Sequence, residues 1–142
     1  MPTASITLTV TDASNPSCLK IAQPTIGAGG GGNRVRLRNN NSTDTTLIVT
    51  AKGNATLDLE FTITGYTPAG TAPITISGEN AASNFSNQVV NATAKTVTIT
   101  DSLTNKGSRG GTLPSWSYTI AVTNSAGVAC LIDPGIENEA EN

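Results

Sequence analysis

From Ser5 to Thr11 the chain reads Ser-Ile-Thr-Leu-Thr-Val-Thr, with an apolar residue at every second position. The same alternation returns in 56–64, 95–101 and 116–123. A period of two puts Ile6, Leu8 and Val10 on one face of a strand and the threonines on the other. Repeated along most of the chain, it predicts an all-β protein of half-buried antiparallel strands. Gly, Pro and Asn punctuation predicts ten short strands, over 4–12, 17–22, 33–39, 45–51, 56–64, 73–77, 85–90, 95–101, 115–123 and 128–132. The glycine run 27–32 and the stretch 105–111 read as flexible loops, and 133–142 as an acidic tail. No segment of ten or more residues has helical period.

Strands at roughly ten-residue spacing with turn signals between them point to one immunoglobulin-like β-sandwich spanning all 142 residues. Its expected core holds Ile6, Leu8, Val10, Val35, Leu37, Leu57, Leu59, Phe61, Ile63, Val97, Ile99, Trp116, Tyr118, Ile120 and Val122. A chain of this length buries roughly two-thirds of its unfolded surface, enough for two layers.

Composition narrows the class. Charged residues are 13% and the net charge is −2. Thr, Asn, Ser and Gly fill the remainder, as in many secreted, fibrous and viral β-proteins. The expected location is therefore extracellular, or the surface of a cell or particle, although the N-terminus carries no visible signal peptide. The small negative charge argues against nucleic acid as partner. No apolar run reaches the roughly 18 residues that would insert in a bilayer as a helix.

Chemistry is sparse. A Ser or Cys nucleophile needs a base, usually His, and the chain has none. Asp12 near Asn15, and Asp133 near Glu137, are the nearest approach to a cation site, and each reads as ordinary loop or tail composition. Asp58 and Glu60 alternate with core residues, so they belong on a solvent face. No cofactor, metal or catalytic set is expected. Cys18 and Cys130 leave two readings open, one disulfide or two buried thiols on adjacent strands. Five Asn-x-Ser/Thr triplets, at Asn40, Asn41, Asn54, Asn84 and Asn91, read as surface markers where a glycan could sit.

Two charge rows are sharper. Asn33-Arg-Val-Arg-Leu-Arg-Asn39 puts Arg34, Arg36 and Arg38 on one strand face. Glu137-Asn-Glu-Ala-Glu141 repeats the spacing with Glu137, Glu139 and Glu141. Two readings stand: a solvated basic face with a loose acidic tail, or a tail that adds as a strand beside 33–39, in its own subunit or a neighbour's. The N-terminal strand 4–12, carrying Ile6, Leu8 and Val10, offers a second joint, either paired at home or donated to another copy.

Near the C-terminus, Ser115-Trp-Ser-Tyr-Thr-Ile-Ala-Val followed by Asp133-Pro-Gly-Ile-Glu-Asn-Glu139 resembles the ending of small bacterial proteins of the DP-EP family. The resemblance covers roughly the last 30 residues, with Glu139-Ala140 where the family has Glu-Pro. It implies no activity and no functional residues. The sequence thus points to a non-enzymatic structural subunit that forms a homo-oligomer, filament or particle by strand addition and Arg–Glu pairing. The alternative is a monomeric glycan- or surface-binding module, with Tyr66 and Phe85 as its exposed aromatic contacts.

Overall fold

In the segment Leu57–Ile63, apolar side chains are buried and the residues between them half-buried, in strict turn. Such strands stack in two layers in a computed structural model describing residues 3–14, 19–22, 24–29, 34–37, 46–51, 56–104, 106–108, 111–124 and 127–140. In chain order the strands are β1 (Thr3–Leu8), β2 (Val10–Asp12), β3 (Lys20–Ile21), β4 (Thr25–Gly29), β5 (Arg34–Leu37), β6 (Leu47–Ala51) and β7 (Leu57–Ile63). Then come β8 (Thr67–Pro68), β9 (Ile74–Ser77), the one-turn helix α1 (Ala81–Asn84) and β10 (Phe85–Asn91). The last are β11 (Thr96–Asp101), β12 (Gly107–Ser108), β13 (Ser115–Asn124) and β14 (Gly127–Ala140).

One sheet has the order β10-β11-β7-β1-β4, the other β5-β6-β14-β13-β8, with β9 also on β13 and β12 on β14. The fold is an all-β sandwich. Its core joins the two inner faces: Ile6, Leu8, Leu57, Leu59, Phe61, Ile63, Val97 and Ile99 meet Trp116, Tyr118, Ile120, Val122 and Ile136. The rings of Phe61 and Tyr118 lie 5.5 Å apart across the layers. Phe85 and Trp116 meet edge to face at 5.0 Å, a favoured aromatic geometry. Val10, Val35 and Leu37, expected in the core, are only partly buried against it.

Several expectations need correction. The strand 4–12 is two strands, and fourteen strands are present among the described residues against the ten predicted. Not all pairing is antiparallel, because β1 runs parallel to β7 and β14 parallel to β6 and β12. The first three residues of the glycine run, 27–29, belong to strand β4. Its Gly27 leaves no spare room, since a Cβ there would stand 3.3 Å from Ser5 Cβ. Most of the tail is strand too. Ile136–Ala140 pairs in register with Leu47–Ala51 of β6.

The route into that position is a bulge. Tyr118 faces Asp133 and Trp116 faces Ile136, so two steps along β13 match three along β14. The extra residue falls at Pro134-Gly135, where a proline costs no ladder bond. Beyond the bulge, Ile136 and Asn138 turn inward and are fully buried.

At the sheet corner, β10 holds β9 with a side chain. Gln88 Oε1 accepts from Ile74 N at 2.9 Å, and Gln88 Nε2 donates to Ile74 O at 2.6 Å. The amide thereby satisfies the outward backbone of an edge strand.

Candidate functional site

The alternation of β11 places Val97, Ile99 and Asp101 on one face, and that face is the core. Asp101 is fully buried. A carboxylate there must find donors, because burial without them costs several kcal/mol, at about 1–3 per lost bond. Its Oδ1 takes three: Asn84 Nδ2 at 2.8 Å, Leu103 N at 2.9 Å and Asn138 Nδ2 at 3.0 Å. Its Oδ2 accepts none. Loss of water dominates over these bonds and pushes the Asp101 carboxyl up to about 6.

The three donors come from three elements. Asn84 ends α1, and its own backbone N donates to Asn80 O at 3.2 Å while its carbonyl accepts from Ser102 N at 2.8 Å. Leu103 lies two residues past Asp101 with φ 56, a left-handed conformation that a leucine rarely adopts. Its carbonyl accepts from Lys106 Nζ at 2.9 Å. Asn138 belongs to β14, and its backbone N donates to Pro114 O at 3.3 Å.

Those three branches end around an open, polar cleft of about 500 Å³ lined by Glu79, Asn80, Thr104, Lys106, Pro114 and Ser115. Asn80 is itself left-handed, with φ 60. The Glu79 backbone is fixed by Trp116, whose Nε1 donates to Glu79 O at 2.9 Å. Oδ1 of Asp101 therefore ties together the walls that carry Asn80, Thr104 and Lys106, and Pro114 and Ser115. The arrangement can hold and orient a small polar molecule in the cleft. The Asp101 carboxylate is fully buried.

The residues singled out from sequence fall elsewhere. Ile6 and Leu8 are fully buried within their own chain, between β4 and β7. Val10 sits in β2 opposite Ile21 and is partly exposed. The tail does not lie directly beside the arginine strand, because β6 stands between them. Its two edges are both used, by β5 on one side and β14 on the other, and this satisfies the backbone groups of a strand whose residues Leu47–Thr50 are all buried. The two charge rows nevertheless share rungs. Arg36 faces Ile48, which faces Glu137; Arg34 faces Thr50, which faces Glu139. Arg36 and Glu137 are thus two strand spacings apart, about 10 Å between backbones, on the same outer face as Ile48. Ile48 between them is only 4% exposed. Arg38 and Glu141 lie outside the described residues.

Cys18 and the side chain of Cys130 also lie outside the described residues; the Cys130 backbone pairs with Ala121. So do Asn15, the side chain of Asp133, and the triplets at Asn40, Asn41 and Asn54. Asp12 is exposed, and its Oδ1 accepts from Ser14 N at 2.9 Å. Among the described residues, no three of Cys, Asp and Glu converge as a metal cluster. Asn84 is not a surface marker, being 1% exposed with its amide committed to Asp101. Phe85 is buried and Tyr66 half-buried, so neither is an exposed platform. Asp58 keeps a half-buried position and accepts from Thr100 Oγ1 at 2.7 Å.

The Asp101 cluster was missed from sequence. Its signal was parity: Asp101 continues the face of Val97 and Ile99, and Asn138 that of Ile136. No protein-family model matches the chain, and no curated protein matches it.

Proposed function

We propose that this chain is a non-enzymatic structural subunit that self-assembles outside the cell into a filament or particle by exchanging its N-terminal strand between copies. One observation carries the reading. β1 occupies the interior of its sheet, with six consecutive rungs to β7 on one side and β4 on the other. A terminal strand that completes a sheet is the element a second copy can supply in the same register. Passed head to tail, it generates an open chain of subunits. The low charge content adds support, because a surface with net charge −2 opposes association weakly.

The Arg and Glu rows take a different part in this reading from the one expected of them. Arg36 and Glu137 belong to one chain and one sheet, so in this reading their attraction helps to set the register of β14 on β6 and contributes about 0–1 kcal/mol. High salt would then loosen the subunit rather than the joint. Ending the chain at Asp133 would remove the half of β14 that pairs with β6 and carries the buried Ile136 and Asn138, so loss of assembly on that truncation would report damage to the subunit.

The direct test is a lock on β1. Thr7 faces Thr25 across β1 and β4, a cross-strand geometry that a disulfide can span. The double variant Thr7→Cys/Thr25→Cys is compared, oxidised and reduced, by negative-stain microscopy and sedimentation, with the new bond confirmed by peptide mapping against Cys18 and Cys130. Filaments or regular particles when reduced, and monomers when locked, are expected. Assembly that ignores the lock would overturn strand exchange. Monomers in both states, and in the unaltered protein, would overturn the structural-subunit reading itself.

A further inference from the structure

The polar cleft is a separate feature from any strand joint, and its construction argues for a ligand. We propose that the cleft lined by Glu79, Asn80, Thr104, Lys106, Pro114 and Ser115 binds a short neutral saccharide. The volume of about 500 Å³ falls within the roughly 300–1,000 Å³ of small-molecule sites. The lining differs from that of an apolar ligand pocket. Glu79 brings an acceptor, Lys106 a donor, and Asn80, Thr104 and Ser115 groups that do both. That mixture matches hydroxyl groups, each of which donates and accepts. Among the described lining residues the charges of Glu79 and Lys106 cancel formally, which favours a neutral ligand over an anion or a cation. Pro114 supplies an apolar surface for the C–H face of a sugar ring.

The second argument is preorganisation. Two non-glycine residues at the cleft's margin, Asn80 and Leu103, hold left-handed backbone. Asparagine tolerates this conformation and leucine rarely adopts it, so Leu103 above all persists there only because its surroundings fix it. Here the fixing is explicit. Asn80 O accepts from Asn84 N, and Asn84 is bonded to Asp101; Leu103 is bonded to Asp101 through N and to Lys106 through O. Strain anchored to a buried carboxylate beside an open polar cleft is the pattern of a rigid binding site, and rigidity lowers the ordering cost of binding a weakly held polar ligand.

The test uses the full chain. ¹⁵N-labelled protein is titrated with glucose, galactose, mannose and N-acetylglucosamine to about 50 mM, with glycine and glutamate as zwitterionic probes; a dissociation constant of about 1–10 mM is expected for at least one sugar. The shifted amides should cluster at Glu79, Asn80, Thr104, Lys106 and Ser115. Glu79→Gln changes an exposed side chain and should leave the remaining spectrum in place; Thr104→Val also breaks the 2.7 Å bond between Thr104 Oγ1 and Ser102 Oγ and should move the Ser102 resonances as well. Each should weaken the sugar at least about fivefold, the loss of one good hydrogen bond. No response to any sugar, shifts elsewhere on the surface, or undiminished affinity in both variants would overturn the site. Response to the amino acids without response to sugars would overturn the ligand class.

Discussion

Acidification from about pH 7 to about pH 5 should stabilise this protein, against the usual trend for acidic proteins. The group responsible is Asp101. Burial raises its folded carboxyl to about 6 from an ordinary value of 3.8. Between those values the folded chain holds a proton that the unfolded chain has released. Stability therefore falls as pH rises through that window. The full difference is about 3 kcal/mol, taking 1.36 kcal/mol per unit. About 1 kcal/mol of it should appear between pH 5 and pH 7. The window is unusually clean, because the chain has no histidine. Asp12 shifts the opposite way, through its bonds to Ser14, and titrates below the window. Urea denaturation at closely spaced pH values, followed by Trp116 fluorescence, measures the slope. Asp101→Asn keeps an acceptor at the Oδ1 position and removes the titration. Its stability should be flat across the same range, below the parent at pH 5. A parent that loses stability on acidification, or an Asp101→Asn variant that keeps the parent's slope, would refute the assignment.

Two further perturbations probe the frame around the cleft. Gln88→Ala strips both hydrogen bonds from Ile74, which is 4% exposed. The orphaned backbone should cost about 2 kcal/mol, read as a lower urea midpoint at unchanged m-value. Gly78→Ala meets two obstacles, a φ of 144 and a Cβ only 2.8 Å from Trp116 Cδ1. It should destabilise by about 1–3 kcal/mol in thermal unfolding and disturb the indole bond to Glu79, visible as a shift of the Trp116 Nε1–H resonance.

The layers were legible because parity is a local property. Ile6, Leu8, Phe61, Ile99 and Ile120 each sit where alternation puts them, and all are buried. Parity does not say which strands are neighbours. The arginine row and the glutamate row share a spacing, and nothing local in either reveals that β6 belongs between them. The decisive fact is that β6 pairs with β5 on one edge and β14 on the other, and pairing is non-local. The strands β4 and β12 were hidden for another reason. Glycine in Thr25–Gly29 and Gly107–Ser108 reads as flexibility in isolation. In the folded chain it serves close approach, against Ser5 at Gly27 and against Thr112 and Leu113 at Gly107.

The cluster behind the cleft shows where the same rule could have been pushed further. A strand that reads Val97-Thr-Ile-Thr-Asp101 places a carboxylate in line with two core residues. An inward polar residue at a strand end has only two outcomes, a satisfied network or a large penalty. The network's existence was therefore implied by parity; its partners were not. Asn84 comes from a one-turn helix with no periodic signal. Asn138 reaches the core only because the Pro134-Gly135 bulge shifts the phase of β14 by one residue. Without the extra residue, Glu137 and Glu139 would face the core in place of Ile136 and Asn138. The bulge thus sends Glu137 to the face of Arg36 and Asn138 to Asp101 in one step. Removing Gly135 should break the charge register and the anchoring of the cleft together, although neither arginine row nor cleft residue is touched.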